Sequence, residues 1–219
     1  APPRPRPHRD PLHGRRAVTR RIVGEAGAAL ADAPWAANRE VAAIGRVGER
    51  RTAEILDRLA SDSTEDGRRV VTVLHDLKIP LSRITANIDH VVVAGGAIYL
   101  VDSKAWKPGL YVTIAGHTYR SFRRFEHADK KTMEMARQSV DGYLKNRGVK
   151  ATVTGSTVVV WPTNSHSRLR LALLRVPGAR PMSGDRLARR SRSLFRPHPG
   201  DHDRIVAELG RLVNGTRRT

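Results

Sequence analysis

Two acids and a lysine stand in this chain where charge is hard to accommodate. In NIDHVVVAGGAIYLVDSKAW (87–106), Asp89 and Asp102 interrupt apolar runs, and Lys104 follows Asp102 by two residues. An ionised carboxylate among aliphatic side chains is costly unless it is paired or binds a metal. Residues two apart on a strand project to the same face, so Asp102 and Lys104 address one place. Asp89, on the preceding strand, can reach it. Oxygen donors, in a chain with no cysteine, suit a hard cation such as Mg²⁺ or Mn²⁺, which keeps waters and also binds phosphate oxygens. Such an ion activates water and offsets charge at a phosphoryl centre. Lys104 would orient that water or stabilise the developing charge, with an ammonium whose pKa can shift as a guanidinium's cannot. The plain alternative for an isolated D-x-K is an exposed cross-strand ion pair at a sheet edge.

The elements that must carry these residues are readable from periodicity. A helix beginning at Asn38 places Val41, Ile44, Val47, Ile55, Leu56 and Leu59 at helical spacing toward a core and should end near Leu59, before SDSTEDG. Three strands are predicted next, over 68–79, 87–95 and 97–106, the last two joined through Gly95-Gly96 as a hairpin. LYVTIAG and HTYRSF form a further hairpin with Gly116 at its turn, and a helix over 128–146 stops before Gly148. Strands are predicted over 152–162 and 169–177, and a last helix in DHDRIVAELGRLVN, with Ile205, Leu209 and Leu212 on one face. Residues 17–32 read as a short helix weakened by Gly24 and Gly27. The order gives an α/β core, a mixed central sheet flanked by helices, with a basic and largely disordered arm at 1–35, the core at 36–180 and a basic extension at 181–219.

Charge points to the partner. The 219 residues carry 40 basic and 21 acidic side chains, a net charge of +19. The excess is greatest at the two ends, +6 over 1–51 and +9 over 168–219. Such a balance implies a polyanion, most often nucleic acid; the alternative is the Arg-rich composition of a GC-rich genome, since Arg outnumbers Lys 33 to 7. All seven lysines lie between 78 and 150, where the chemistry is placed. Arg120, Arg123, Arg124, Lys130 and Lys131 are candidate phosphate contacts. Arg189, Arg190 and Arg192, in RLARRSRSLFR, would clamp a backbone from a helix or an extended arm. Trp106 and Trp161 are core or rim residues, or else stack on unpaired bases. His90 points away from Asp89 and reads as structural. The absence of cysteine excludes disulfides, thiolate zinc sites and cysteine nucleophiles. No apolar run approaches the roughly 20 residues a membrane span needs, and APPRPRPHRDP has no apolar signal region. A cytoplasmic, nucleoid-associated protein is expected.

GERRTAEILDRLA, then a strand, then NIDHVVVAGGAIYLVDSKAWKPG, then a helix with ARQSVDGYLKN, resembles the nuclease-related domain (NERD) family over about residues 45–165. That family is grouped with the PD-(D/E)xK restriction-endonuclease-like nucleases. The resemblance implies a restriction-endonuclease-like core with Glu49 as the helix-borne acid, Asp89 as the principal metal ligand and Asp102 as the second. Lys104 becomes the catalytic lysine, and Gln138 the glutamine of the following helix, in contact with phosphate or water. Asp102 departs from the more usual Glu before x-Lys, and its shorter arm moves the metal slightly.

Three functions fit. The first is a Mg²⁺- or Mn²⁺-dependent DNA endonuclease or nickase, RNA not being excluded. The second is an end- or structure-specific exonuclease or junction enzyme. The third is a non-catalytic DNA-binding protein that keeps the fold, which clustered acids near phosphates argue against. One active site makes one cut, so cleavage of both strands needs a homodimer or two visits. There is no G-x-x-x-x-G-K-[ST] phosphate loop, so any energy-driven process would need a helicase or replication partner.

Overall fold

A computed structural model describes residues 21–27, 39–63, 70–80, 86–164 and 168–214, with backbone alone for 39–42. Residues 1–20 and 28–35 of the proposed N-terminal arm, most of the helix expected over 17–32, most of the SDSTEDG loop and the side chain of Val41 lie outside them.

The β-branched runs form the centre of the molecule. Strands β1 (Ile22–Val23), β2 (Val71–Lys78), β3 (Asn87–Ala94), β4 (Ala97–Trp106), β8 (Val153–Pro162) and β10 (Arg180–Ser183) make a six-stranded sheet in the order β1-β2-β3-β4-β8-β10. Neighbours β2–β3 and β3–β4 are antiparallel, and β1–β2, β4–β8 and β8–β10 parallel, so the sheet is mixed. A second sheet is built by β5 (Gly109–Ile114), β6 (His117–Arg120), β7 (Arg123–Arg124) and β9 (Leu169–Leu173), in the order β7-β6-β5-β9.

Alternation along the central strands gives the main sheet two apolar faces. On one face, Val73, Val92, Val101 and Val159 meet Ile55, Leu56 and Leu59 of helix α1 (Arg39–Ser61) and Leu187 of helix α3 (Gly184–Leu194). On the other, Leu74, Val91, Leu100 and Val158 meet Met133, Val140 and Leu144 of helix α2 (Thr132–Asn146) and Ile205 and Leu209 of helix α4 (His202–Gly210). This is the three-layer solution for a sheet apolar on both faces. It bears out the α/β, restriction-endonuclease-like reading.

Three expectations need correction. Ile22–Val23 is a strand, because its backbone completes the edge of β2, with Val73 N–H donating to Arg21 O at 2.8 Å. Val47 is exposed, since α1 faces the sheet through Thr52, Leu56 and Leu59 on its other side. The main sheet runs past the expected boundary at 180: β10 pairs with β8, and Ser183 Oγ caps α3 by accepting from Arg186 N–H. RLARRSRSLFR is therefore largely helix. Trp106 and Trp161 take the core and rim places expected of them. Trp106 is buried against Tyr111 and Phe125. Trp161 donates Nε1–H to Thr52 Oγ1, and its ring lies so close to Gly184 that an added Cβ would sit 2.3 Å away. Among the described residues, no helix is long and apolar enough to cross a membrane.

Candidate active site

Strands β3 and β4 pair from Ala94↔Ala97 to His90↔Val101, and there the ladder ends. Beyond it the strands part, and Asp89 and Asp102 flank the opening. The first backbone group past the ladder is taken by a side chain: Ser103 N–H donates to Asp89 Oδ2 at 2.7 Å. Asp102 is buried and projects with Lys104, whose Nζ donates to Asp102 Oδ1 at 2.8 Å and approaches Oδ2 at 2.7 Å. Helix α1 brings Glu49 to the same place. Gly48, beside it, is buried against Trp161 and Ala105, which lets the helix backbone lie close to β4 and β8.

The electrostatics tie these groups together. Burial pushes the Glu49 carboxyl up to about 7, Asp102 and Asp76 push the same way, and Lys104 and Arg46 oppose them. Burial also holds Asp89 well above the usual carboxylate range, with Asp102 and Glu49 adding repulsion. Desolvation disfavours the Lys104 charge, but Asp102, Asp89 and Glu49 outweigh it and raise its pKa. Lys104 is thus a fixed cation amid mutually repelling carboxylates.

Glu49, Asp89, Asp102 and Lys104 are therefore brought together as expected, and Gln138 is not. Met133, Ala136, Val140 and Leu144 form the buried stripe of α2, and position 138 lies on the opposite side. Gln138 is exposed and lines a separate cavity of about 330 Å³ with Glu134, Arg137, Asp141 and Gly178. Asp76 was missed. It is buried in β2 with a left-handed backbone (φ 54°), accepts from Asn87 Nδ2–H at 2.8 Å and contributes to the repulsion at Glu49. The sequence does put an acid inside the apolar run VVTVLHDLKI, but His75 and Lys78 beside it make that end of the strand read as polar.

Behind the acids, on the α1 face, runs a buried polar chain. Asp57 Oδ1 lies 2.9 Å from His75 Nε2, His75 Nδ1 lies 2.8 Å from His90 Nδ1, and His90 Nε2 lies 3.2 Å from Ser103 Oγ. Ser103 Oγ donates to Thr52 Oγ1 at 2.8 Å. The structural reading of His90 holds. Its charged form is disfavoured by burial and by His75, so its pKa is well below the usual histidine value.

Of the candidate phosphate contacts, Arg123, Lys130, Lys131, Arg189 and Arg190 are exposed. Arg120 lines a cleft with Lys107, Arg168 and Arg170. Arg124 is engaged locally with Asp129, Thr118 O and His117, and Arg192 pairs with Asp62 at 3.0 Å.

Whether the site suits a divalent cation turns on its donors. Three carboxylates converge with Lys104 as the cation between them, which is the donor type and charge excess that a hard cation relieves. Among the described residues, no three His, Asp or Glu side chains already stand as a ligand cage.

A pH dependence follows. Glu49 and Asp89 both have folded-state pKa values above their ordinary ones. They therefore favour folding at low pH. For Glu49 that contribution is complete below its ordinary value of 4.5 and is lost as pH rises through about 7. Urea melts in EDTA from pH 5 to 8 should show this falling contribution, and Glu49→Gln should flatten the slope. Mn²⁺ should stabilise the protein more at pH 8 than at pH 5, because protons compete for the same oxygens. Identical slopes for wild type and Glu49→Gln would remove Glu49 from this account.

A model of the nuclease-related domain family matches residues 44–160, a little over half of the chain. The match runs from α1 into β8 and includes Glu49, Asp76, Asp89, Asp102 and Lys104. No curated protein and no solved structure matches the chain.

Proposed function

The chain belongs to the nuclease-related domain family, and from that membership we propose a divalent-cation-dependent nuclease that hydrolyses DNA phosphodiester bonds at the β3–β4 opening. The observation that carries this reading is the meeting of Glu49, Asp89 and Asp102 with Lys104, where Lys104 is held by Asp102 and the four charges act on Glu49, Asp89 and Lys104. A purely structural ion pair has no need of three acids around one lysine, least of all in a chain of net charge +19.

Glu49, Asp89 and Asp102 would hold Mg²⁺ or Mn²⁺, which when bound supplies Lewis-acid polarisation of the phosphate and a more acidic water. Lys104, 44% exposed at its side chain, can turn from Asp102 toward the phosphate. There its ammonium offsets charge that grows as the nucleophile adds, or orients the attacking water. The exposed arginines of α3, with Arg123, Lys130 and Lys131, would contact the backbone without reading bases. Binding should then weaken steeply with salt.

One such site per chain makes one cut per visit, so a monomer nicks. Supercoiled, linear, single-stranded and branched DNA would be incubated with Mg²⁺, Mn²⁺ or EDTA. The expected result is metal-dependent conversion of supercoiled to nicked circles before any linear product. Linear product forming at once, with no nicked intermediate, would replace the nickase by a dimeric endonuclease. Salt-sensitive binding without cleavage under any of these conditions would sink the catalytic reading in favour of a DNA-binding protein.

A further inference from the structure

The most exposed large apolar side chain among the described residues is Phe122, 99% accessible at the turn between β6 and β7. Arg120 pairs with Arg123 across this turn, leaving Ser121 and Phe122 as its two central residues. Both are left-handed, with φ of 46° and 69°. Two-residue turns of this hand favour Asn-Gly, because any Cβ crowds the following carbonyl oxygen there and only Gly escapes it, Asn offsetting it with a local hydrogen bond. Phe122 therefore takes on backbone strain and keeps its ring in water. Neither packing nor turn chemistry accounts for it, and strain of this kind gathers at ligand-contacting segments.

The surroundings say what the ligand is. Ser121 sits on the rim of a cleft of about 810 Å³ whose lining includes Lys107, Arg120, Arg168 and Arg170 and no carboxylate. Arg123, the next residue in the chain, is exposed as well. β4 carries Asp102 and Lys104 and ends at Trp106, one residue before Lys107. Phe122 stands beside several cations, with Leu110 39% accessible in the cleft lining and Ile114 and Leu173 exposed elsewhere on the same small sheet. Such scattered apolar groups make a poor protein interface, which needs a continuous apolar centre. The arrangement suits a polyanion whose bases present flat apolar faces, since stacking and backbone cations together hold single strands.

We propose that the β6–β7 turn is a base-stacking element: the cleft holds backbone phosphates and Phe122 stacks on an unpaired base of a single-stranded or splayed nucleic-acid segment. This rests on the nucleic-acid reading above and narrows it to substrates with unpaired bases beside the cut.

The test is binding in EDTA, where no cleavage intervenes, of a labelled single strand, a forked duplex and a fully paired duplex. Wild type would be compared with Phe122→Gly and Phe122→Trp. Glycine removes the ring and relieves the left-handed strain, so Phe122→Gly should fold with an equal or higher thermal midpoint. It should bind the single strand and the fork about tenfold more weakly, the order expected for one lost stacking contact, and the paired duplex within about twofold of wild type. Phe122→Trp should retain binding, with its indole fluorescence quenched by the single strand. Equal affinity of Phe122→Gly and wild type for all three DNAs overturns the stacking role while leaving the nuclease reading intact. A wild-type dimer that Phe122→Gly converts to monomer, measured by sedimentation, overturns it in favour of a contact between copies of this chain. Failure of wild type to bind any of the DNAs overturns both readings together.

Discussion

Asp102→Ala and Lys104→Ala are each expected to lower the rate of metal-dependent DNA cleavage by about 10³-fold or more, the scale of losing a group that acts on developing charge. Each variant should still fold, because the two side chains mainly hold each other and Lys104 is only partly enclosed. The double variant should be little worse than either single one, since groups acting as a unit lose their effect together. Lys104→Arg should not restore the rate: a guanidinium is wider and cannot take the ammonium's place between the oxygens of Asp102. Binding in EDTA separates chemistry from affinity. Asp102→Ala removes a negative charge from the phosphate path and should bind DNA as tightly as wild type, or more tightly at low salt. If either variant keeps a rate within about tenfold of wild type, the β3–β4 opening is not where the bond breaks.

Much of this site was legible because charge inside an apolar strand is conspicuous. Asp89 and Asp102 stand out against Val, Ile and Leu, and the two-residue spacing to Lys104 fixes a shared face whatever the rest of the fold does. The Gly95-Gly96 turn sets the hairpin register and hence the height at which Asp89 meets Asp102. Glu49 was different: among the several acids of its helix only the family pattern singled it out, and what distinguishes it physically is its burial beside Lys104. Asp76 carried the same signal as Asp89 and Asp102, an acid inside an apolar strand, but His75 and Lys78 beside it mask it and its left-handed backbone has no sequence signature.

The errors have two causes. Gln138 was placed by motif order, yet the helical period of Met133, Ala136, Val140 and Leu144 already put it on the opposite side. Arg180–Ser183 has Pro and Met where a strand signal was sought. It is a strand because the far side of β8 would otherwise present unpaired backbone. The same holds for Ile22–Val23 against β2. In both cases long-range pairing decided, and local propensity carried no information about it. Phe122 was read as part of a strand, whereas the pairing of Arg120 with Arg123 turns it outward.

The polar chain behind the acids carries the second large effect. His90 is fully buried, and each of its ring nitrogens has a partner. Thr52 Oγ1 receives hydrogens from Trp161 Nε1 and Ser103 Oγ and passes its own to Gly48 O. Ser103 has then spent its hydrogen, so His90 Nε2–H must donate to Ser103 Oγ, and neutral His90 accepts at Nδ1 from His75. Ser103 lies between Asp102 and Lys104, and its own N–H holds Asp89. The chain thus fixes the strand segment from which the acids project. His90→Leu should cost about 2–4 kcal/mol of stability, because it leaves His75 Nδ1–H without its acceptor in a dry interior and takes from Ser103 Oγ the hydrogen it accepts. His75→Leu should cost a comparable amount. The His75→Leu/His90→Leu double variant should be less damaging than the two losses added, since it removes both ends of one buried contact, with a coupling of about 1–3 kcal/mol. Urea denaturation in EDTA measures this independently of catalysis. The His90→Leu protein that remains folded should bind DNA like wild type and need more Mn²⁺ for half-maximal cleavage, because Asp89 and Asp102 are less firmly set. Additive losses would mean that the imidazoles pack without sharing a proton. An unchanged Mn²⁺ requirement would mean that the chain supports the fold and not the site.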